Sequence, residues 1–238
     1  MDSPTRRQAL TAAAAGVVGA AAAIAPALAG TAAADSGNSE PNPLFTPENS
    51  MLVLIDYQPE MVAGVTSMNK DLLQLNIKAL ARIARLLKVP TVLTTVGVKA
   101  GVNQPTIPSL REEVPTLTEH DRMNMNAWED EAVRRTIKAT GRRNIVFAAL
   151  WTEICLAFPV VHAQREGYRT MFIADAVGGT SSAAHEAGIQ RVIQAGSIPN
   201  SFIGILGEWV RDWSETRSDA GRKVVPWYWA EVAKLDLN

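Results

Sequence analysis

Residues 144–159 read NIVFAALWTEICLAFP and combine a short apolar run with the only cysteine of the chain. A continuous apolar run such as 144–150 is typical of a strand that is buried on both faces of a parallel sheet. The residues from Cys155 to Glu166 are predicted to form a helix that ends at Gly167. The sequence therefore predicts that Cys155 directly follows a buried strand and lies at the N-terminus of a helix.

The same alternation of strand and helix continues on both sides of this segment. Short apolar runs predict strands, and apolar side chains at three- and four-residue spacing predict helices. This order is typical of a three-layer α/β fold, in which helices cover both faces of a mostly parallel sheet. A long loop at 97–125 is expected to be functional or to contain a short element of its own. The predicted strands cover residues 51–55, 91–96, 144–150, 170–174 and 201–206, and the predicted helices cover 69–88, 129–139, 155–166 and 182–195, with a further helix from residue 207.

Reactive side chains follow the ends of these strands, where ligands bind in open parallel sheets. Asp56 follows the first strand and Cys155 the third. A helix N-terminus favours a thiolate, and a nearby carboxylate can exchange a proton with the sulfur. Arg122, in the long loop, would stabilise both charges. The alternatives are a small buried apolar role for Cys155, a helix cap or ion pair for Asp56, and a surface pair with Asp121 for Arg122.

The composition excludes several classes of partner and site. The chain has 238 residues, of which 47% are hydrophobic and 20% are charged, and its net charge is −1. A net charge near zero argues against nucleic acid and against an anionic membrane surface as partners. A single cysteine excludes an intramolecular disulfide and any multi-cysteine metal site.

Residues 1–34 have the order of a secretory signal peptide. Arg6 and Arg7 form a twin arginine, an Ala- and Gly-rich run follows, and small residues mark cleavage sites after Ala29 or Ala34. This pattern predicts export to the periplasm or the extracellular space by the twin-arginine route, with no stable membrane insertion after the signal is removed. A retained membrane anchor is the alternative.

The rest of the chain is predicted to contain one domain. Residues 35–47 are rich in Ser, Asn, Pro and Gly, which is typical of a flexible leader. Residues 48–238 have the length of a single α/β domain and end in an apolar C-terminal tail. We expect this tail to pack on the domain or on a neighbouring subunit.

Three short motifs occur in order along the chain: LIDYQ at 54–58, RMNMNAW at 122–128 and TEICLAFP at 152–159. Together they resemble the isochorismatase-like cysteine hydrolase superfamily, and the second and third motifs resemble its YcaC-type subgroup. The resemblance extends from about residue 43 to about residue 213. It implies a six-stranded, mostly parallel sheet with flanking helices.

The resemblance also implies which residues form the catalytic site. Its triad corresponds to Asp56, Arg122 and Cys155 in this chain. A cis peptide bond is implied between Leu150 and Trp151, and the backbone N–H groups of Trp151 and Cys155 would form an oxyanion hole. The family usually has lysine where this chain has Arg122, and arginine stabilises charge without transferring a proton.

Four further side chains are candidates for the substrate pocket. They are Gln58, Asn126, Trp128 and Phe158. Aromatic side chains are typical of pockets for small molecules. For Trp128 and Phe158, packing in the core or between subunits is the alternative.

The segment after the second predicted strand argues against a metal. Nicotinamidases of the superfamily bind a metal there through Asp and His, whereas residues 94–99 read TTVGVK. The resemblance therefore implies neither a metal nor another cofactor, and it makes nicotinamidase activity doubtful.

These features predict a cysteine hydrolase that cleaves a small amide or a related C–N bond through a Cys155 thioester. Asp56 would be the general base and acid, and Arg122 would stabilise charge. One alternative is a catalytically silent oligomeric protein that keeps the fold for binding or assembly. Another is a redox protein based on the thiol. The resemblance further implies a homo-oligomer and a small-molecule substrate.

Overall fold

A six-stranded parallel sheet forms the centre of the fold. The computed structural model describes residues 42–237. The strands are β1 (Ser50–Ile55), β2 (Thr91–Val96), β3 (Glu119–Arg122), β4 (Asn144–Ala149), β5 (Arg169–Ile173) and β6 (Ile198–Asn200). They lie in the order β3-β2-β1-β4-β5-β6, and all neighbouring pairs are parallel. The chain reverses its direction of winding between β1 and β4, so a ligand crevice is expected at the carboxyl ends of these two strands.

Helices flank the sheet, which confirms the predicted α/β fold class. The helices are α1 (Pro59–Ala63), α2 (Lys70–Leu86), α3 (Pro108–Arg111), α4 (Glu131–Ala139), α5 (Ala157–Arg165), α6 (Ser182–Gln194), α7 (Phe202–Val210) and α8 (Ser218–Val232). Short 3₁₀ turns cover Ala127–Glu129 and Ala174–Ala176, and a π-helical turn covers Thr152–Leu156. Helix α2 contacts α3, α7 and α8, whereas α5 contacts α6, so the helices form two groups around the sheet.

The middle of the sheet is the most deeply buried part of the domain. Every residue of β1 is buried, as is every residue of β4 after Asn144. Helix α2 covers these strands with one apolar face, and the side chain of Asn69 caps its N-terminus by accepting from the N–H groups of Asp71 and Leu72. The continuous apolar runs of the sequence therefore become strands with helices on either side.

The domain begins earlier than residue 48. Phe45 is fully buried, and its N–H donates to Glu208 Oε2 at 2.7 Å. Residues 42–47 therefore pack on the domain. The flexible leader predicted for them is wrong here, because that prediction rested on the polar composition of residues 35–47 as a whole. The signal peptide predicted at 1–34 lies outside the described residues. Between residues 42 and 237, no helix is both long and apolar enough to cross a membrane.

The prediction of a strand at 201–206 is wrong, because these residues begin α7. Ser201 caps this helix by accepting from the N–H of Gly204 at 3.1 Å. A short apolar run is compatible with a strand or with a buried helix, and here the cap and the spacing decide for the helix. The buried side chains are Phe202, Ile205, Leu206, Trp209 and Val210.

The strand at this edge is the shorter segment Ile198–Asn200, and β3 lies inside the region predicted as a long loop.

The apolar C-terminal tail forms α8 and packs on α2 of the same chain. Tyr228 donates its hydroxyl to Asn76 Oδ1 at 2.7 Å, and Asn76 Nδ2 donates to the carbonyl oxygen of Asp175 at 2.7 Å. The guanidinium of Arg82 lies 3.6 Å from the ring centroid of Trp227. Helix α8 is therefore an integral part of the domain, attached to α2 by polar and aromatic contacts.

Replacement of Tyr228 tests this attachment. Tyr228→Phe leaves the buried oxygen of Asn76 without its donor, so the free energy of unfolding is expected to fall by about 1–2 kcal/mol. The neighbouring Trp229 is exposed, and Trp229→Phe is expected to change stability by less than about 0.5 kcal/mol. Urea unfolding of both variants measures the difference, and equal stability would show that α8 is attached by other contacts.

Candidate active site

Asp56 lies directly after β1 in an uncommon backbone conformation. Its φ is +62°, in the left-handed region that residues other than glycine seldom adopt. Its N–H donates to the carbonyl oxygen of Thr94 at 3.0 Å, which joins it to the end of β2. Non-glycine residues keep such a conformation only where their surroundings enforce it, and these places are often functional sites.

Arg122 ends β3 and forms a two-point ion pair with Asp56. Nη1 lies 2.6 Å from Oδ1, and Nη2 lies 2.7 Å from Oδ2. Both side chains are fully buried. Removing one partner of such a buried pair leaves an uncompensated charge, at a cost of about 3–5 kcal/mol. The pair therefore fixes the carboxyl edges of β1 and β3 relative to each other.

Further hydrogen bonds hold the guanidinium in this orientation. Nη1 also donates to Thr94 Oγ1 at 3.1 Å and to the carbonyl oxygen of Thr95 at 2.9 Å. Burial lowers the pKa of Arg122, but its hydrogen bonds and charge interaction with Asp56 raise that pKa above the ordinary value. Arg122 therefore remains a cation and takes no part in proton transfer.

Cys155 lies in the π-helical turn that joins β4 to α5. The predicted helix from residue 155 is thus a π turn first and an α-helix only from residue 157. The peptide bond between Leu150 and Trp151 is cis, as the resemblance implied. Cys155 is buried and is the only cysteine of the chain.

The environment of Cys155 favours the neutral thiol. Burial raises the pKa of Cys155, and the Asp56 carboxylate raises it further, whereas Arg122 and the backbone N–H of Trp151 lower it. The net effect is a pKa far above the ordinary thiol value. This direction is opposite to the lowered pKa that a helix N-terminus alone would give the thiol. The Cys155 sulfur therefore lies close enough to Asp56 and Arg122 to interact with both charges.

The start of α6 and the loop before it support the turn that carries Cys155. The hydroxyl of Thr152 lies 2.8 Å from His185 Nδ1, and the N–H of Thr152 donates to the carbonyl oxygen of Gly178 at 3.0 Å. Gly188 of α6 lies so close that a Cβ there would be 3.0 Å from backbone atoms of Glu153 and Thr152. The turn is therefore held by side-chain contacts and by a close approach of two backbones.

A cavity of about 260 Å³ opens above the sulfur. It lies at the carboxyl ends of the central strands, where the topology of the sheet predicts a ligand crevice. Its lining residues come from α1, from the loops after β2 and β3 and from the π turn: Met61, Val96, Gly97, Val102, Asn103, Met123, Met125, Trp151, Ile154 and Cys155. Small molecules that enter this cavity would meet the thiol at its inner end.

Gln58 lies close to this region but does not line the cavity. Its side-chain amide donates to the carbonyl oxygens of Val96 and Gln104 and accepts from the N–H of Val96. Gln58 thus uses both ends of its amide to hold the end of β2 and the loop that follows. Its contacts are those of a positioning residue.

The other predicted pocket residues also lie away from the cavity. Trp128 is buried in the core, and its Nε1 donates to Glu166 Oε1 at 2.8 Å. Asn126 caps the 3₁₀ turn by accepting from the N–H of Trp128, and its Nδ2 lies 2.7 Å from His162 Nδ1. Phe158 lines a separate surface depression beside Asn126. All three are therefore in structural positions in the single chain.

Sequence reasoning missed the three methionines of the cavity, Met61, Met123 and Met125. Met123 and Met125 follow Arg122 by one and three positions and are largely exposed. Two methionines beside a candidate catalytic cation were a usable signal. Met61 is on α1, and the sequence gave no sign that this short helix faces the site.

Metal binding requires several His, Cys, Asp or Glu side chains that converge on one point. Between residues 42 and 237, no group of three or more His, Cys, Asp or Glu side chains is arranged to hold a metal ion.

The fold and the site together define a class: a parallel three-layer α/β protein with a buried cysteine beside a carboxylate–guanidinium pair. Residues 50–201 match the isochorismatase domain family. This chain therefore belongs to the isochorismatase-like hydrolase family, in the YcaC-type subgroup.

Named relatives support this assignment. The chain is 31% identical over 166 residues to the probable hydrolase YcaC of Escherichia coli (strain K12), covering 69% of this chain and 79% of that protein. The structure of YcaC from Pseudomonas aeruginosa with hexane-2,5-diol and covalent acrylamide is 28% identical, with a TM-score of 0.73 over 82% of this chain and 98% of that one. The structure of the Escherichia coli YcaC gene product, described as an octameric hydrolase of unknown specificity, is 27% identical, with a TM-score of 0.74 and the same coverage.

The close approach of α6 to the turn that carries Cys155 gives a first test of the site. Gly188→Ala places a Cβ against the backbone of this turn, so the variant is expected to be less stable than the wild type and to label more quickly at Cys155, because a displaced turn covers the sulfur less completely. Gly207→Ala is the matched control, because nothing lies within 4 Å of its Cβ. The control is expected to gain about 0.5–1 kcal/mol from helix propensity. Unfolding and labelling that change equally in both variants would contradict the close approach.

The raised pKa of Cys155 gives a second test. A thiol reacts through its thiolate, so the rate of alkylation by iodoacetamide is expected to rise about tenfold per pH unit from pH 6 to 9.5 without levelling off. The urea-unfolded protein is the control, and its rate should level off near the ordinary thiol pKa of about 8.5. Mass spectrometry of the single cysteine measures both rates. A plateau in the folded protein at or below pH 7 would show a thiolate and contradict the described environment.

Proposed function

We propose that this protein hydrolyses the C–N bond of a small amide or a related compound, with Cys155 as the nucleophile. The observation that carries the proposal is the buried Asp56–Arg122 pair beside the thiol at the inner end of the cavity. A nucleophile next to a group that can accept its proton, with a cation that orients this group, is the arrangement that covalent hydrolysis requires.

In the first step the Cys155 sulfur attacks the carbonyl carbon of the substrate. The proton of the thiol moves to Asp56, the C–S bond forms, and the electron pair of the C=O double bond moves to the oxygen. The backbone N–H groups of Trp151 and Cys155 stabilise this oxyanion. When the C=O double bond forms again, the C–N bond breaks, and the proton on Asp56 moves to the leaving nitrogen.

In the second step water cleaves the Cys155 thioester. Asp56 accepts a proton from the water molecule while the water oxygen attacks the thioester carbon. The C–S bond then breaks, the acid leaves, and the proton returns to the sulfur. Asp56 therefore acts in both steps. In the first step it takes the proton from sulfur and gives it to nitrogen, and in the second step it takes a proton from water and gives it to sulfur.

The raised pKa of the thiol explains why a general base is needed. A resting thiol is a weak nucleophile, so its proton has to leave as the C–S bond forms. Arg122 occupies one lone pair on each carboxylate oxygen of Asp56, and a carboxylate has about four such sites. Thr94 Oγ1 also donates to Oδ1 at 3.4 Å, so in this proposal a remaining site on Oδ2 accepts the proton of the thiol.

The relatives support hydrolysis and a reactive site of this kind. YcaC of Escherichia coli is named a probable hydrolase, and the Pseudomonas aeruginosa structure contains covalent acrylamide, a compound with a small primary amide group. The proposed substrate class is similar in size and polarity to this compound.

A catalytically silent assembly protein is the second candidate function. The raised pKa of Cys155 favours it, because a thiol that stays protonated is unreactive without an effective base. A redox function of the thiol is less well supported for the same reason, since oxidation also begins from the thiolate.

A homo-oligomeric and exported state is part of the proposal. The octameric state described for the Escherichia coli relative supports oligomer formation, and Trp213 exposes apolar surface for such contacts. Export rests on the signal-peptide pattern of residues 1–34.

The proposal is tested by the release of ammonia from a panel of small amides. Cys155→Ser is expected to abolish turnover, and Asp56→Asn is expected to lower it about 100- to 10,000-fold through loss of the general base. Asp130→Asn is the matched control, because this N-cap of α4 lies outside the site and asparagine caps equally well.

A second measurement separates the role of Asp56 from damage to the fold. Asp56→Asn removes the negative charge that raises the pKa of Cys155, so iodoacetamide should label the sulfur faster at pH 7 while hydrolysis becomes slower. Turnover that survives Cys155→Ser would refute the proposal. No turnover of any amide by the wild type would favour the assembly protein.

A further inference from the structure

The walls of the cavity above Cys155 contain no charged side chain among the described residues. The lining is made of thioethers, aliphatic groups and one indole, with Asn103 as the single amide. An ionic group placed in such a cavity would lose its water without gaining an opposite charge, which is strongly unfavourable. The composition of the walls therefore disfavours a substrate with a charged group in this cavity.

The two charges next to the cavity neutralise each other. Both terminal nitrogens of Arg122 donate to Asp56, and both side chains are fully buried. Neither residue contributes to the surface of the cavity. The ion pair thus has no net charge with which to bind a substrate carboxylate or a substrate ammonium.

The amide nitrogen of Asn103 is also engaged. Its Nδ2 donates to the carbonyl oxygen of Val96 at 3.0 Å, which holds the loop after β2 against the end of that strand. The lining therefore offers few polar groups to a ligand besides the thiol, the amide oxygen of Asn103 and the backbone around them. Recognition has to come from apolar contact.

One wall of the cavity is fixed and the rim is adaptable. The indole Nε1 of Trp151 donates to the carbonyl oxygen of Met61 at 2.8 Å, and a Cβ at Gly64 would lie 2.5 Å from the ring. The rim, in contrast, consists of Val102, Met123 and Met125, which are 66%, 61% and 60% exposed. Methionine side chains adjust readily to ligands of different shape.

We propose that the substrate carries a small, uncharged and mostly apolar acyl group, which lies between Trp151 and the methionine rim. This inference rests on the proposed function and names its substrate class. The cavity of about 260 Å³ has room for roughly nine water-sized groups, which limits the acyl chain to a similar number of non-hydrogen atoms. Amides with a carboxylate or an ammonium group on this chain are rejected.

Selective labelling of the single cysteine tests the charge preference without any need for turnover. Three alkyl methanethiosulfonates differ mainly in charge: the propyl reagent is neutral, the 2-sulfonatoethyl reagent is an anion and the 2-aminoethyl reagent is a cation. In each case the Cys155 sulfur attacks the sulfenyl sulfur and loses its proton, a disulfide forms, and methanesulfinate leaves. Each rate is divided by the rate of the same reagent with 2-mercaptoethanol.

The neutral reagent is expected to label Cys155 at least about 100-fold faster than either charged reagent after this normalisation. Charged reagents that react as fast as the neutral one overturn the inference. A thiol that reacts with none of the three also overturns it, since a cavity that accepts neutral groups has to admit the propyl reagent. Because labelling involves no amide, failure of the proposed hydrolysis leaves this result readable on its own.

A charge placed at the rim provides the matched variant. Met123→Lys is expected to raise the relative rate of the anionic reagent about tenfold by charge attraction. Ile193→Lys introduces the same charge at an exposed position of α6 outside the cavity and is expected to leave the ratio unchanged. An equal effect of both variants would show that net charge, and not the cavity wall, controls access.

Discussion

The buried ion pair between Asp56 and Arg122 is the interaction on which the site depends. It joins the carboxyl ends of β1 and β3, which lie on either side of β2, and it holds Asp56 in a left-handed backbone conformation. Two full charges in a dry interior are tolerable only because each oxygen of the carboxylate meets a nitrogen of the guanidinium. The pair thus supplies both the order of the site and a carboxylate close to the sulfur.

The same burial sets the chemical character of Cys155. Burial and the Asp56 carboxylate raise the pKa of the thiol, so in the proposed mechanism attack on a carbonyl is coupled to transfer of the thiol proton. In that mechanism the proton taken from sulfur is the one that the leaving nitrogen needs. The turn that carries Cys155 is held from behind by α6 through Thr152, His185 and the close approach of Gly188.

The sequence predicted the sheet, most helices and the convergence of Asp56 with Cys155, because buried parallel strands have continuous apolar runs and their carboxyl ends meet at one edge. It failed at α7, where a short apolar run suits either kind of element, and at β3, which has only polar and charged residues. Arg122 was indicated by a family motif only, since spacing alone favoured a surface arginine. The cavity wall was missed because methionine is a common core residue and its role depends on which loops meet.

The central claim is that hydrolysis proceeds through an acyl group on Cys155. The most direct test is the partition of products between water and hydroxylamine for amides that share one acyl group but differ in the leaving amine, such as propionamide and N-methylpropionamide. A common thioester predicts the same ratio of hydroxamate to acid for both amides, and neither product from Cys155→Ser. A ratio that changes with the leaving amine would contradict the account, because no shared intermediate would then exist.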